Sequence, residues 1–190
     1  MIRGRPMVDW ALSAAREVVD GVVLVLPPAD ANLSRGDAWG ADLVVIGGDT
    51  RSASVRAGLG AVPQDAAVIV VHDGARPLAP PDLFAKVIGA VMDGADAAIP
   101  VLAVTDTLKR VSEGVVVEDV ARDELVAVQT PQAFRAEVLR RAYSAGGDAT
   151  DDAALVAALG VTVQAVPGEP RNLKVTTPAD LELVQALAGM

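Results

Sequence analysis

Short runs of aliphatic residues, each cut off by glycine, proline or a charged pair, set the main limit on how this chain can fold. They lie at 21–26 (GVVLVL), 43–46 (LVVI), 66–71 (AAVIVV) and 97–101 (AAIPV). None alternates polar with apolar residues, as a strand with one wet face would. Such runs suit parallel strands covered on both faces. Helical stretches separate them at 7–19, 52–59 and 81–92, and the first sets Val8, Leu12, Ala15 and Val19 on one face. Strand–helix alternation at this pitch predicts a doubly wound α/β fold. It is a Rossmann-like, mostly parallel sheet with flanking helices. Further helices are expected at 135–145, 151–159 and 178–188, with a strand at 161–166 and a short strand-like piece at 173–176. There is no repeat and no low-complexity linker, so residues 1–190 read as one domain.

The composition narrows what such a domain can do. Of 190 residues, 52% are hydrophobic, enough for a substantial core and too many for a disordered chain. Sixteen basic residues stand against 25 acidic ones, a net charge of −9. That field argues against non-specific binding to nucleic acid or to an anionic membrane. A phosphate ligand would have to be met by a few local cations. Cysteine is absent and His72 is the single histidine, which removes disulfides, thiolate sites and a His-rich metal centre together. No apolar run approaches the ~20 residues of a membrane span. Residues 1–10 lack the apolar core of a signal peptide. A cytoplasmic protein is expected.

Residues 106–129 break the pattern. Strand-like pieces at 107–111 and 115–120 flank Ser112-Glu113-Gly114, which suits a hairpin turn. Such an insertion is either an edge decoration or an arm that pairs with another subunit.

In an open α/β sheet, ligands sit beyond the carboxyl ends of the strands. Those ends read Gly47-Gly48-Asp49-Thr50-Arg51-Ser52-Ala53-Ser54, His72-Asp73-Gly74-Ala75-Arg76-Pro77, and Thr105-Asp106-Thr107-Leu108-Lys109; Lys174 lies further on, near the C-terminus. Arg51, Arg76, Lys109 and Lys174 could converge on phosphates. Asp73 could hold a hard divalent cation. This combination suits phosphoryl or nucleotidyl transfer, where catalysis is mostly positioning and charge neutralisation. Each residue also has a plainer reading. Asp73 could be a turn residue or helix cap, Gly47-Gly48 a turn, and Arg51 a solvated charge. His72 could be a structural neighbour of the sheet, Thr150-Asp151-Asp152 a helix N-cap, and Arg140-Arg141 a wet helix face.

Taken in order, Gly47-Gly48-Asp49-Thr50-Arg51, Val71-His72-Asp73-Gly74-Ala75-Arg76-Pro77, Asp106-Thr107-Leu108-Lys109, Gln129-Thr130-Pro131-Gln132, Thr150-Asp151-Asp152 and Lys174-Val175-Thr176 resemble the 2-C-methyl-D-erythritol 4-phosphate cytidylyltransferase family. The resemblance covers essentially the whole chain, and relatives that use ribitol phosphate share much of it. It implies transfer of a cytidylyl group from CTP to the sugar-alcohol phosphate, with release of pyrophosphate, in isoprenoid precursor synthesis. It implies that Gly48, Asp49 and Ser54 border the cytidine and that Asp73 binds Mg²⁺. Lys174, Arg76 and Arg122 become the catalytic cations. Thr107, Arg122, Thr130, Thr150 and Lys174 become contacts to the alcohol phosphate. The hairpin at 106–129 becomes a homodimerisation arm, carrying Thr107 and Arg122 into the partner's site.

The likeness departs from the family at the front. Met1-Ile2-Arg3-Gly4-Arg5-Pro6-Met7 matches the stretch after the family's first strand, glycine-rich loop and Pro-Lys. On this reading the domain is N-terminally truncated, and the chain as written is expected to show little cytidylyl transfer. The rival readings are a ribitol-5-phosphate cytidylyltransferase and an inactive truncated paralogue that serves as a binding subunit.

Overall fold

Branched side chains at 23–26 and 43–46 favour extended backbone, and these residues pair in parallel as β1 (Val23–Leu26) and β2 (Leu43–Ile46), with Val23 opposite Leu43. The structure is a computed structural model that describes residues 1–30, 40–146 and 151–189. Helix α1 (Met7–Arg16) precedes this pair and α2 (Arg51–Ala61) comes after it. Thr50 caps α2 by accepting the Ala53 N–H at 3.0 Å.

The larger sheet contains β3 (Val68–Val71), β4 (Ala97–Ala103), β7 (Val126–Val128), β8 (Gln132–Arg135) and β9 (Val163–Pro167). Its order is β3-β8-β4-β7, with β9 on the other side of β4. Strands β3, β4 and β9 share one direction; β8 runs antiparallel between β3 and β4, and β7 is also antiparallel to β4. The expected mixture of sheet and flanking helices is present. The sheet comes in two pieces, however: among the described residues no strand pairing joins β1 to β3. Helix α1 spans the break. Leu12 packs with Leu24 and Leu26 of the small sheet, and Ala14 packs with Ala79 and Phe84 beside the large one.

Both faces of the large sheet are covered, which explains the unalternated runs. Helix α3 (Pro81–Met92) lays Val87 and Val91 against Ala98 and Ala133. Helices α4 (Ala136–Ser144) and α5 (Asp152–Ala157) bury Leu139, Tyr143, Leu155 and Val156 against Phe134 on the opposite face. Neighbouring residues Ala133 and Phe134 thus enter different cores, as a two-residue period requires. Helix α6 (Pro178–Leu187) closes the described chain. It opens on a capping box between Thr177 and Asp180.

Three local expectations need correction. Residues 132–135 form β8, which runs directly into α4. Gln132 and Arg135 hid that strand, yet Gln132 is buried because its amide is fully occupied, bonding the Gln129 carbonyl, Asp151 and the Ala153 N–H. Residues 126–128, placed in the arm, belong to the sheet as β7. Residues 173–176 are no strand; one backbone bond, from Val175 N–H to the Ala75 carbonyl at 2.8 Å, ties them to the fold.

The hairpin is present as β5 (Leu108–Ser112) and β6 (Val115–Val120) and pairs with no other strand of the described chain. Val111, Val115, Val116 and Val117 are each more than half exposed. An isolated two-stranded ribbon is marginal in water by itself.

Candidate active site

The site forms where the ends of β2 and β3, the start of α5 and the segment before α6 meet. Helix α2 crowds closely on the turn after β2. A Cβ on Gly47 would stand 2.5 Å from Ser54 Oγ, and one on Gly48 would stand 2.5 Å from Ala53 Cβ. Any larger side chain would push the turn off the helix. The Ser54 hydroxyl donates to the Gly48 carbonyl at 3.3 Å, while Asp49 faces solvent.

Asp73 comes directly after β3. Its carboxylate lies 2.8 Å from Lys174 Nζ and 3.4 Å from Arg51 Nε. Burial alone would raise the Asp73 pKa. Lys174, then Arg51 and Arg76, outweigh it and hold the carboxyl below its ordinary value. Arg51 reaches further. Its Nη2 donates to Asp152 Oδ2 at 2.6 Å, and Tyr143 Oη donates to Asp152 Oδ1 at 2.5 Å. Burial works against the charged guanidinium, but Asp152 more than restores it, so the Arg51 pKa is raised. Burial raises the Tyr143 pKa, and the Asp152 bond adds to it, so the phenol stays protonated.

The loop 72–76 is stitched from below. The Asp73 N–H donates to Thr130 Oγ1 at 3.0 Å, Thr130 Oγ1 lies 3.1 Å from His72 Nδ1, and His72 Nε2 lies 3.1 Å from the Arg76 carbonyl. That carbonyl can only accept, so Nε2 carries the proton and Nδ1 accepts from Thr130. Burial pulls the His72 pKa down to about 4, which keeps the ring in this neutral form at ordinary pH.

The sequence-derived residues divide clearly. Asp73, Lys174 and Arg51 come together, with Arg76 behind them. Arg76 is not free to grip a ligand with its fork: Nη1 donates to the Asn172 carbonyl at 2.8 Å and Nη2 to the Val128 carbonyl at 3.3 Å. Lys109 does not converge on the site, because it pairs with Asp119 across the hairpin. Thr130 is 4% exposed, and its hydroxyl is committed to His72 and Asp73. Thr107 and Arg122 lie exposed at the hairpin's base, where Arg122 donates to the Thr105 carbonyl; neither bonds to the Asp73 cluster. Thr150 falls outside the described residues. His72 is the structural neighbour that its plain reading made it. Asp151 caps α5 through the Ala154 N–H at 2.9 Å, which leaves Asp152 free for Arg51. The doubled acid was the available signal for that pair.

Among the described residues no three His, Cys, Asp or Glu side chains gather as a metal cage. Asp73 is the carboxylate that would hold Mg²⁺, an ion that proteins usually bind through one or two carboxylates together with substrate phosphates. The cleft of about 310 Å³ lined by Trp10, Leu78, Pro80, Glu169, Arg171, Leu187 and Ala188 includes none of this cluster. The charges, rather than a cavity, mark the site.

Residues 1–189 match the family described as IspD, 2-C-methyl-D-erythritol 4-phosphate cytidylyltransferase. The enzyme of that name from Rhodococcus jostii is 52% identical over 171 residues, 89% of this chain and 75% of its own length. The one from Frankia casuarinae is 47% identical over 192 residues, 97% of this chain and 71% of its own. The crystal structure of the Thermus thermophilus enzyme superposes with a TM-score of 0.90 at 38% identity, over 100% of this chain and 92% of that one. With its charged cluster at the strand ends and a match along nearly its whole length, the chain belongs to the 2-C-methyl-D-erythritol 4-phosphate cytidylyltransferase family.

Proposed function

We propose that the chain transfers the cytidylyl group of CTP to 2-C-methyl-D-erythritol 4-phosphate. A phosphate oxygen of the alcohol phosphate attacks the α-phosphorus of CTP. A new P–O–P bond forms, the α–β bond breaks, and pyrophosphate leaves with the electron pair. The observation that carries this reading is the Asp73 carboxylate held between Lys174 and Arg51 at the strand ends. Lys174 neutralises charge on the reacting phosphates. Gly48, Asp49 and Ser54 line the turn where the cytidine sits. Asp73 would hold Mg²⁺, which when bound supplies positive charge to the phosphates. No helix of the described chain is long and apolar enough to cross a membrane. The proposed reaction draws on CTP, so the cytoplasm, where that nucleotide is made, is the proposed location.

Pyrophosphate release from CTP is the direct test, measured for this chain and for one carrying a family N-terminal segment, with methylerythritol phosphate and ribitol 5-phosphate offered in parallel to each. Methylerythritol phosphate is expected to be turned over well above ribitol phosphate. The reverse order would move the assignment to the ribitol enzyme, and no release with either would favour a binding subunit. The Rhodococcus and Frankia relatives carry the methylerythritol substrate in their names.

The hairpin β5–β6 is the homodimer arm in this reading. Its exposed valines, and the lack of any further strand partner among the described residues, support that use. Arg122 and Thr107 then complete the partner's site. Mixing Arg122→Ala subunits with Asp73→Asn subunits, each weak alone, is expected to restore activity at one site of two per mixed dimer. No recovery after subunit exchange, followed by sedimentation, would count against a shared site.

A further inference from the structure

Lys174 sits on a segment with little structure of its own. Residues 168–176 form neither helix nor strand, yet they must hold an ammonium within 2.8 Å of Asp73. The Val175 N–H bond to the Ala75 carbonyl at 2.8 Å holds the segment on one side, and two buried amides hold it on the other. Gln129, 4% exposed, meets the Glu169 backbone with both ends of its side chain: Nε2 donates to the Glu169 carbonyl at 3.0 Å, and Oε1 accepts the Glu169 N–H at 3.0 Å. Gln129 Nε2 also donates to the Asn172 carbonyl at 3.2 Å. Asn172, 0% exposed, returns the contact: Nδ2 donates to the Thr130 carbonyl at 2.8 Å and to Gln129 Oε1 at 3.4 Å. The same Asn172 carbonyl receives Arg76 Nη1 at 2.8 Å. Gly168 lets the segment come this close, since a Cβ there would stand 2.7 Å from Gln129 Oε1 and 2.9 Å from the Val101 carbonyl.

We infer that Gln129 and Asn172 form a positioning clamp that sets Lys174 against Asp73 and orients Arg76 behind them. Neither side chain has a bond to the Asp73 carboxylate or to Lys174 Nζ, so both act through the segment they hold. Their directions are fixed by backbone groups that can only donate or only accept. A buried amide deprived of its partner is costly, so these bonds hold one arrangement over looser ones; Asn172 Oδ1 and Arg76 Nε are the members of the network left without a partner. In the sequence, Gln129 and Lys174 marked motifs 45 residues apart with no stated link; the clamp is that link. Its kinetic consequence rests on the cytidylyl-transfer reading, while its geometry does not.

The chain has three lysines, Lys86, Lys109 and Lys174, so ¹³C-dimethylation gives three assignable side-chain signals in an NMR spectrum. The Lys174 signal, assigned with Lys174→Arg, is expected to move in Gln129→Met towards its position in Asp73→Asn, with Lys86 and Lys109 unmoved. An unmoved Lys174 signal in a folded Gln129→Met protein overturns the clamp. Asn172→Ala keeps the backbone carbonyl and serves as the second variant. On the unaltered chain the Gln129 side-chain amide protons are expected to be dispersed and slow to exchange; fast exchange at free-amide shifts would also overturn it. In turnover assays Gln129→Met is expected to lower kcat ~10-fold or more with little change in the KM for CTP, as loss of an arrangement used in the transition state does. In a Lys174→Ala background the same change should cost less than ~2-fold, because coupled residues are not additive. Equal losses in both backgrounds would reduce Gln129 to core packing. If neither the unaltered chain nor one carrying a family N-terminal segment shows transfer, the function reading fails, and the NMR result still decides the clamp.

Discussion

Asp73→Asn is expected to lower cytidylyl transfer by at least ~10²–10³, the scale of loss when one preorganised group that stabilises transition-state charge is removed, as measured for oxyanion-hole donors. Asparagine keeps the shape of the side chain and its place at the end of β3. It loses the charge that draws Lys174 Nζ to 2.8 Å and Arg51 Nε to 3.4 Å, and the hard anionic oxygen that a divalent cation prefers. The fold should tolerate the change, because the bond from residue 73 N–H to Thr130 Oγ1 is made by the backbone. Far-UV circular dichroism and the melting temperature would confirm that the fold survives. Turnover within about threefold of the unaltered chain would remove Asp73 from the centre of the site. Lys174→Ala is expected to cause a loss of the same order, since the ammonium is the half-exposed cation of the pair and the one open to phosphate.

The strand runs and their glycine stops placed Asp73 and the Gly47-Gly48 turn correctly, because apolar strands buried on both faces leave an unmistakable pattern. The hairpin was legible for a different reason: charged residues break up its strands, and its turn residues are right for the bend. What escaped were elements whose identity is settled by distant partners. Strand β8 carries Gln132 and Arg135, and only the bonds from Gln132 to Asp151 and Ala153 N–H explain why a polar residue is buried there. Thr130 resembled a substrate contact, but its hydroxyl is used by the Asp73 N–H and His72. Lys109 looked like one cation among several and is claimed by Asp119. Among the supports of the site, Asp152 has only its doubled acid as a local signature and Gln129 only its place beside Thr130-Pro131, while Asn172 and Tyr143 have none. Each is an ordinary residue until the fold brings its partner from another element.

Asp152 is where such a support bears most on stability. It is fully buried, at 0% exposure, and its two oxygens are taken by Arg51 at 2.6 Å and Tyr143 at 2.5 Å. Asp152→Ala would leave a buried phenol without an acceptor and a guanidinium with only the longer contact to Asp73. Removing one partner of a buried ion pair typically costs about 3–5 kcal/mol. Arg51 keeps 32% of its side chain exposed and can regain some hydration, so the lower end, roughly 3 kcal/mol, is expected. For a chain of this length that is a fall of ~6–12 °C in melting temperature. The surface pair between Asp96 and Arg135, with side chains 49% and 42% exposed, provides the contrast: Asp96→Ala is expected to leave the melting temperature nearly unchanged. Tyr143→Phe should cost less than Asp152→Ala, because it leaves the Arg51 pair intact. A drop of under about 2 °C for Asp152→Ala would mean that Arg51 re-pairs fully with Asp73 and water, so that the buried carboxylate adds nothing to the fold. A large drop confined to Asp152→Ala would identify the Arg51–Asp152–Tyr143 network as the anchor that joins the start of α2 to α4 and α5 beneath the site.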